Sequence, residues 1–220
     1  MFASIASTAL VGVDTRPVQV EVHAGQSRRA SFSIVGLPDT AVREARERVL
    51  SALASSRFQV PAGRITVNLS PADLPKAGSA YDLPIALGTL VATGQVGPEA
   101  TRVVALGELA LNGDVRSVRG GLGAALVARR LSRPCILAPD AAGEARRVPD
   151  SDVRGAADLV EAVGVALGRR RGTAVEPTPA PLVDRIPDLA VVRGQLVARR
   201  ALEVAAAGGH HLLMSGPPGA

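Results

Sequence analysis

The 220 residues predict an α+β (mixed α/β) domain followed by the opening of a second domain, and three observations carry that reading. Alternating apolar and polar residues, as in Val18-Gln-Val-Glu-Val22, mark strands, whereas Val42, Ala45, Val49 and Leu53 recur at helical spacing. Hairpin signals and strand-to-helix crossovers are mixed along the first 167 residues rather than strictly alternating. A Pro- and Arg-rich stretch without periodicity then separates that region from a shorter structured end.

Taken in order, residues 3–35 read as a strand meander, with Val18–Val22 and Ser31–Val35 joined by the polar turn 25–29. Residues 39–57 form an amphipathic helix with Asp39 as N-cap, its outer face carrying Arg43, Glu44, Glu47 and Arg48. A strand at 64–69 follows, then the loop 70–78 and a helix over 82–93, for which Asp82 serves as a cap. Val103–Gly107 is a strand, and Asn112-Gly113 turns the chain so that 114–118 runs back beside it. Gly120-Gly121 opens a helix ending near Leu131. The strand around Cys135, a short helix over 140–147 and a last helix over 158–167 complete the domain. Residues 168–187, including Pro177-Thr-Pro-Ala-Pro181, read as an extended linker. The second region, 188–220, holds a helix over 194–207 and a short apolar strand over 211–215.

Composition removes several functions. Aromatic residues make up 2% of the chain, so no platform exists on which successive bases could stack, and any nucleic-acid contact would run through phosphates. The net charge of +5 divides into about +2 for residues 1–167 and +3 for the rest, with Arg169, Arg170 and Arg171 prominent in the second share. Lys76 is the single lysine; arginine stays protonated and cannot serve as a general base, so lysine chemistry has one candidate. One cysteine, Cys135, excludes an internal disulfide and a cysteine zinc cluster; its apolar neighbours make it an inert core residue, and a reducing cytoplasm is expected. Residues 2–13 are apolar but lack the preceding positive charge of a signal peptide, and no run is long enough to span a membrane. His210 and His211 are adjacent, point to opposite faces of a strand and have no evident third ligand, so no metal site is expected there.

The end of the chain carries the most chemistry. An apolar strand running into Gly216-Pro217-Pro218-Gly219 is how a phosphate-binding loop begins: glycines let consecutive backbone N–H groups curl around phosphates, with a helix N-terminus behind them. The lysine and the Ser/Thr of that pattern would fall beyond Ala220, so the chain is expected to be cut within the loop.

These residues resemble a known family. The run from Val192 through Gly194-Gln195, Arg199-Arg-Ala-Leu-Glu-Val-Ala-Ala-Ala-Gly-Gly-His-His-Leu-Leu213 and the Gly-Pro-Pro-Gly turn is similar to the start of the AAA+ ATPase module in the magnesium chelatase-like YifB/ComM family. Val35-Gly-Leu-Pro-Asp39, Ala41–Val49 and Asp73–Leu87 resemble the N-terminal domain of the same family. The resemblance implies a Lon-protease-like domain over 1–167 and the beginning of a P-loop AAA+ domain over 188–220. It further implies a hexameric motor that uses ATP and Mg2+ and drives branch migration of DNA in recombination or natural transformation. Nucleotide contacts are then expected at Val192, Gly194 and Gln195 for the base and at Gly216, Pro217, Pro218 and Gly219 for the phosphates.

The same resemblance bears on proteolysis. Lon proteases use a Ser-Lys dyad, and the matching positions here hold Ala80, after Pro75-Lys-Ala-Gly-Ser79, and Gly123, after Gly120-Gly-Leu122. No catalytic residue is therefore assigned, and the domain is expected to be proteolytically silent. The alternatives are an ATP-dependent Lon-like serine protease, a chelatase-type remodelling ATPase and a non-catalytic scaffold. DNA, contacted through arginine, and further copies of the chain are the expected partners; the Arg129-Arg130 and Arg146-Arg147 pairs are either solvated helix faces or part of a DNA channel.

Overall fold

A long antiparallel hairpin organises the first part of the protein. In the computed structural model, which describes residues 1–27, 29–173, 175 and 187–217, β1 (Phe2–Val11) and β2 (Asp14–Gly25) pair along their whole length, from Phe2 opposite His23 to Val11 opposite Asp14. The alternation read in β2 is realised: Val18, Val20 and Val22 are buried while Gln19 and His23 face solvent. In β1 both faces are buried from Ile5 to Ala9, because β1 is the central strand of a seven-stranded sheet ordered β3-β4-β2-β1-β5-β8-β9.

The expected meander is only half right. β3 (Ser31–Val35) lies not beside β2 but parallel to β4 (Arg64–Ser70), and β4 sits between them, antiparallel to β2. The helix between β3 and β4, α1 (Thr40–Ser55), returns the chain to the starting end of the sheet, so the two strands it joins pair in parallel. Asp39 caps α1 as expected, accepting from the Val42 N–H at 2.8 Å, and Val42, Ala45, Val49 and Leu53 face the core.

α2 (Asp82–Ala92) is buried on every side, which its apolar sequence requires. Beyond it, β5 (Val104–Ala105), β8 (Cys135–Leu137) and β9 (Val153–Gly155) extend the sheet in parallel from β1. The Asn112-Gly113 turn closes a separate small hairpin, β6 (Glu108–Leu109) with β7 (Val115–Arg116), so residues 114–118 return beside 108–109 rather than beside 103–107. β9 escaped the sequence reading because three residues are too few to show a period. α3 (Gly121–Leu131) and α4 (Pro139–Ala145) cover one face of the sheet, and α1, α2 and α5 (Leu159–Ala166) the other, each face with its own apolar core. Mostly parallel pairing with helices on both faces makes this a mixed α/β fold.

The first compact unit runs to Thr178. Part of the stretch expected as linker belongs to it, since Thr173 bridges to Gly155 and its hydroxyl donates to Glu161 at 2.9 Å. The second unit, 179–220, contains a short 3-10 turn (Leu189–Val191) and α6 (Leu196–Gly208). The strand expected over 211–215 does not form: no other strand lies in this unit among the described residues, and a strand needs a neighbour to satisfy its backbone. No described helix is long and apolar enough to cross a membrane.

Candidate functional site

Two places merit description, one in each unit. In the first, the loop 70–78 lies against the start of α1. Lys76 accepts from the Asp39 N–H at 3.0 Å and donates its own N–H to Leu37 O at 3.3 Å, and the Asp39 carboxylate takes the Gly78 N–H at 2.9 Å while capping α1. Asp39 thus ties loop and helix together. Asp73, in the same loop, is exposed.

A cleft of about 550 Å³ opens beside this loop, lined among others by Thr8, Gly78, Ser79, Ala80, Glu108 and Arg119. Ser79 sits in it, and its hydroxyl donates to the Glu108 carboxylate. Lys76 does not reach Ser79: its side chain is 1% exposed and its ammonium donates to Pro71 O, while burial lowers its pKa and Asp73 partly offsets that. The Ser79 hydroxyl therefore has a carboxylate as its partner, itself 3.9 Å from the Arg116 guanidinium, and not the lysine that a Ser-Lys dyad requires.

Gly123, where the Lon resemblance would put a lysine, is closed by packing. A Cβ on Gly123 would overlap Thr15 Oγ1 and lie 2.7 Å from Thr15 Cβ, so α3 approaches β2 too closely there for any side chain. Ala80 uses its carbonyl to accept the Gly107 N–H at 3.0 Å, a structural role.

Beneath the cleft lies a feature that the sequence reading assigned differently. Asp82 is not the cap of α2: Tyr81 occupies that place and Asp82 is the first helical residue, fully buried. Its carboxylate accepts from Arg48 Nε at 2.6 Å, Arg48 Nη2 at 3.0 Å and the Leu109 N–H at 3.2 Å. Arg48 also donates to Ala41 O at 2.9 Å, so one pair connects α1, α2 and the β6–β7 hairpin. Burial raises the Asp82 pKa to about 6 against the opposing pull of Arg48, whose own pKa the same hydrogen bond raises. The available signal was a lone carboxylate opening an otherwise apolar helix, which physics allows only with a partner.

In the second unit, Val192 follows the 3-10 turn and accepts from Arg199 Nη1 at 3.2 Å. Gly194 has φ 71° with no atom where a Cβ would stand, and Gln195, also left-handed, accepts the Arg199 N–H at 2.9 Å at the start of α6. The chain turns after α6 at Gly209 and runs back along it, so that Leu196, Val197, Arg200, Val204, His211 and Leu212 help line one cleft. Gly216 and Pro217 follow in exposed, irregular chain; Pro218 and Gly219 lie outside the described residues. His210 and His211 are exposed, and no group of three metal-binding side chains occurs among the described residues.

Both regions match one family. Residues 18–141 match the family described as subunit ChlI of Mg-chelatase, and residues 188–220 match magnesium chelatase, subunit ChlI. The chain belongs to the magnesium chelatase-like YifB/ComM family. Among YifB/ComM proteins it is 41% identical to competence protein ComM of Haemophilus influenzae, over 99% of this chain and 44% of that protein. Against YifB of Escherichia coli the identity is also 41%, over 100% of this chain and 44% of the relative. An uncharacterised protein of Mycobacterium tuberculosis is 41% identical over 97% of this chain and 42% of its own length. The chain thus spans less than half the length of these relatives.

Proposed function

We propose that this chain is the N-terminal part of an ATP-driven DNA motor that is hexameric when complete and works in the cytoplasm in recombination or natural transformation. The observation that carries the reading is the order Val192–Gln195, α6, Gly216-Pro-Pro-Gly219, in a segment that matches magnesium chelatase subunit ChlI. The open, positive-φ turn at Gly194-Gln195 suits close approach of a flat base, and in the Gly216-Pro-Pro-Gly219 run the two glycines, which alone carry a backbone N–H, would offer it to phosphates while the prolines shape the loop. The hydroxyl that such loops place on Mg2+ would come from residues after Ala220. In this reading the first unit is proteolytically silent, because Gly123 packs on Thr15 and Ser79 has no lysine.

The test is made on the protein extended to the length of its relatives. DNA-stimulated ATP hydrolysis and branch migration of a four-way junction are expected, both lost when the phosphate-loop lysine is replaced by alanine. ATP hydrolysis that DNA leaves unchanged, but that a protein substrate or a metal-insertion partner stimulates, overturns the DNA reading in favour of a protease or chelatase-type remodeller. Fluorophosphonate labelling of Ser79 overturns the silent assignment.

A further inference from the structure

At the far edge of the first unit, past β9, a cleft of about 590 Å³ is lined by Arg146, Asp152, Arg154, Arg169, Arg170 and Arg171. Arg154 and Asp152 neutralise each other in a two-pronged pair, Nε to Oδ1 at 2.9 Å and Nη2 to Oδ2 at 2.7 Å. That leaves four guanidinium groups, and among the described residues none of Arg146, Arg169, Arg170 and Arg171 forms an ion pair.

The fold holds these charges in place. The chain leaves α5 through Gly168 (φ 69°), and the N–H groups of both Arg169 and Arg170 donate to Gly164 O, at 2.9 and 3.0 Å. Gly164 is a helical residue without a side chain, and the stem of Arg170 lies where one would be: Cδ and Cγ stand 2.7 and 2.9 Å from the position of a Cβ. Beyond Arg171 and Gly172, Thr173 fastens the chain again through its N–H to Gly155 O at 2.9 Å and its hydroxyl to Glu161. The triplet is therefore a loop clasped at both ends. Like charges gathered within one Debye length, about 10 Å at 0.1 M salt, repel one another, and a folded loop that concentrates them is stabilised by an anion.

We propose that this arginine clasp binds the phosphate backbone of nucleic acid, a claim that rests on the DNA reading above and locates its contact in the first unit. Guanidinium forks match phosphate oxygens in two-pronged geometry. The lining offers no exposed apolar or aromatic anchor of the kind that holds a peptide, Val153 being buried, which favours a polyphosphate over an acidic protein segment. Contact through phosphates alone also agrees with a chain whose aromatic content is 2%.

The test measures binding of the full 220-residue chain to a short labelled DNA duplex by fluorescence anisotropy across a salt series. Three proteins are compared with the parent: the clasp triple Arg169→Ala, Arg170→Ala and Arg171→Ala; a control triple Arg16→Ala, Arg43→Ala and Arg57→Ala, which removes the same charge elsewhere; and Gly164→Ala, which displaces Arg170 without changing charge. Alanine retains the N–H bonds to Gly164, and thermal melts confirm folding. The clasp triple should lower affinity at least about tenfold at low salt and flatten the slope of log K against log salt by about 3, roughly one unit per lost phosphate contact. The control triple should change the slope by less than one, and Gly164→Ala should fall between. Equal losses in the two triples, or no DNA binding by the parent chain, overturn the proposal. So does displacement of the DNA by poly-glutamate as effectively as by unlabelled DNA. The motor reading falls separately, when the extended protein shows no DNA-stimulated ATP hydrolysis.

Discussion

Removing Arg48 should damage this protein more than removing the charge of its partner Asp82, and the difference should depend on pH. Asp82 is sealed at 0% exposure, with Arg48 supplying two of its three hydrogen bonds. The Arg48 side chain is 19% exposed and has Glu44 at 3.8 Å as a second carboxylate. In Arg48→Met the carboxylate is left buried with only the Leu109 N–H, and breaking a buried pair in this way costs about 3–5 kcal/mol. In Asp82→Asn the amide oxygen still accepts from Leu109 or Arg48, and the guanidinium reaches water and Glu44, so a loss of about 1–3 kcal/mol is expected. The Asp82 pKa, about 6 in the parent, rises further once the pull of Arg48 is gone. A carboxyl group whose folded pKa exceeds its unfolded value of 3.8 binds protons on folding; its penalty is absent below that value and grows as pH rises through the folded pKa. The Arg48→Met loss should therefore be full near pH 8 and smaller by at least about 1 kcal/mol near pH 5, where Asp82 is protonated in the folded variant. Urea unfolding followed by circular dichroism at both pH values measures it. Equal losses at the two pH values, or a larger loss in Asp82→Asn, refute the reasoning.

Three further outcomes are expected. Gly123→Ala should destabilise the fold by about 1–3 kcal/mol in urea unfolding, because the added Cβ meets Thr15, and Gly123→Lys should not restore a protease but unfold the contact between α3 and β2. Cys135, fully buried and with its thiol pushed up to about 12 by burial, should resist iodoacetamide at pH 8 in the native protein and react at once in denaturant, as mass spectrometry would show. Leu87→Ala, at the centre of α2 with 0% exposure, should cost about 2–5 kcal/mol by the same unfolding assay.

The helices were the most legible elements, since a helix needs only its own backbone and one apolar face, both written locally. Asp39 with Val42, Ala45, Val49 and Leu53 located α1 to within two residues. Strand pairing was not legible in the same way. Nothing within 25–35 says that β3 will pair with β4 rather than β2, because that choice depends on α1 carrying the chain back across the sheet. The apolar run 211–215 has the composition of a buried strand, yet without a neighbouring strand it stays irregular. For the sites, local motifs pointed to Gly194-Gln195 and to Gly216–Gly219, whereas the Arg48–Asp82 pair joins residues 34 positions apart and could not be seen in any window.

Residue types by themselves determined what these 220 residues lack and what family the chain belongs to: no aromatic platform, no internal disulfide, one lysine, Ala80 and Gly123 where the Lon resemblance would put a dyad, and a Gly-Pro-Pro-Gly run after the residues of α6. Those are properties of identity and order, which folding does not change. Tertiary structure alone decided where charge ends up. It buried Asp82 against Arg48, placed the ammonium of Lys76 on Pro71 rather than near Ser79, and turned Arg169–Arg171 from an expected linker into a loop fastened at Gly164 and Gly155. The physical reason is that a charge is costly or useful according to the atoms packed around it, and those atoms come from distant parts of the chain.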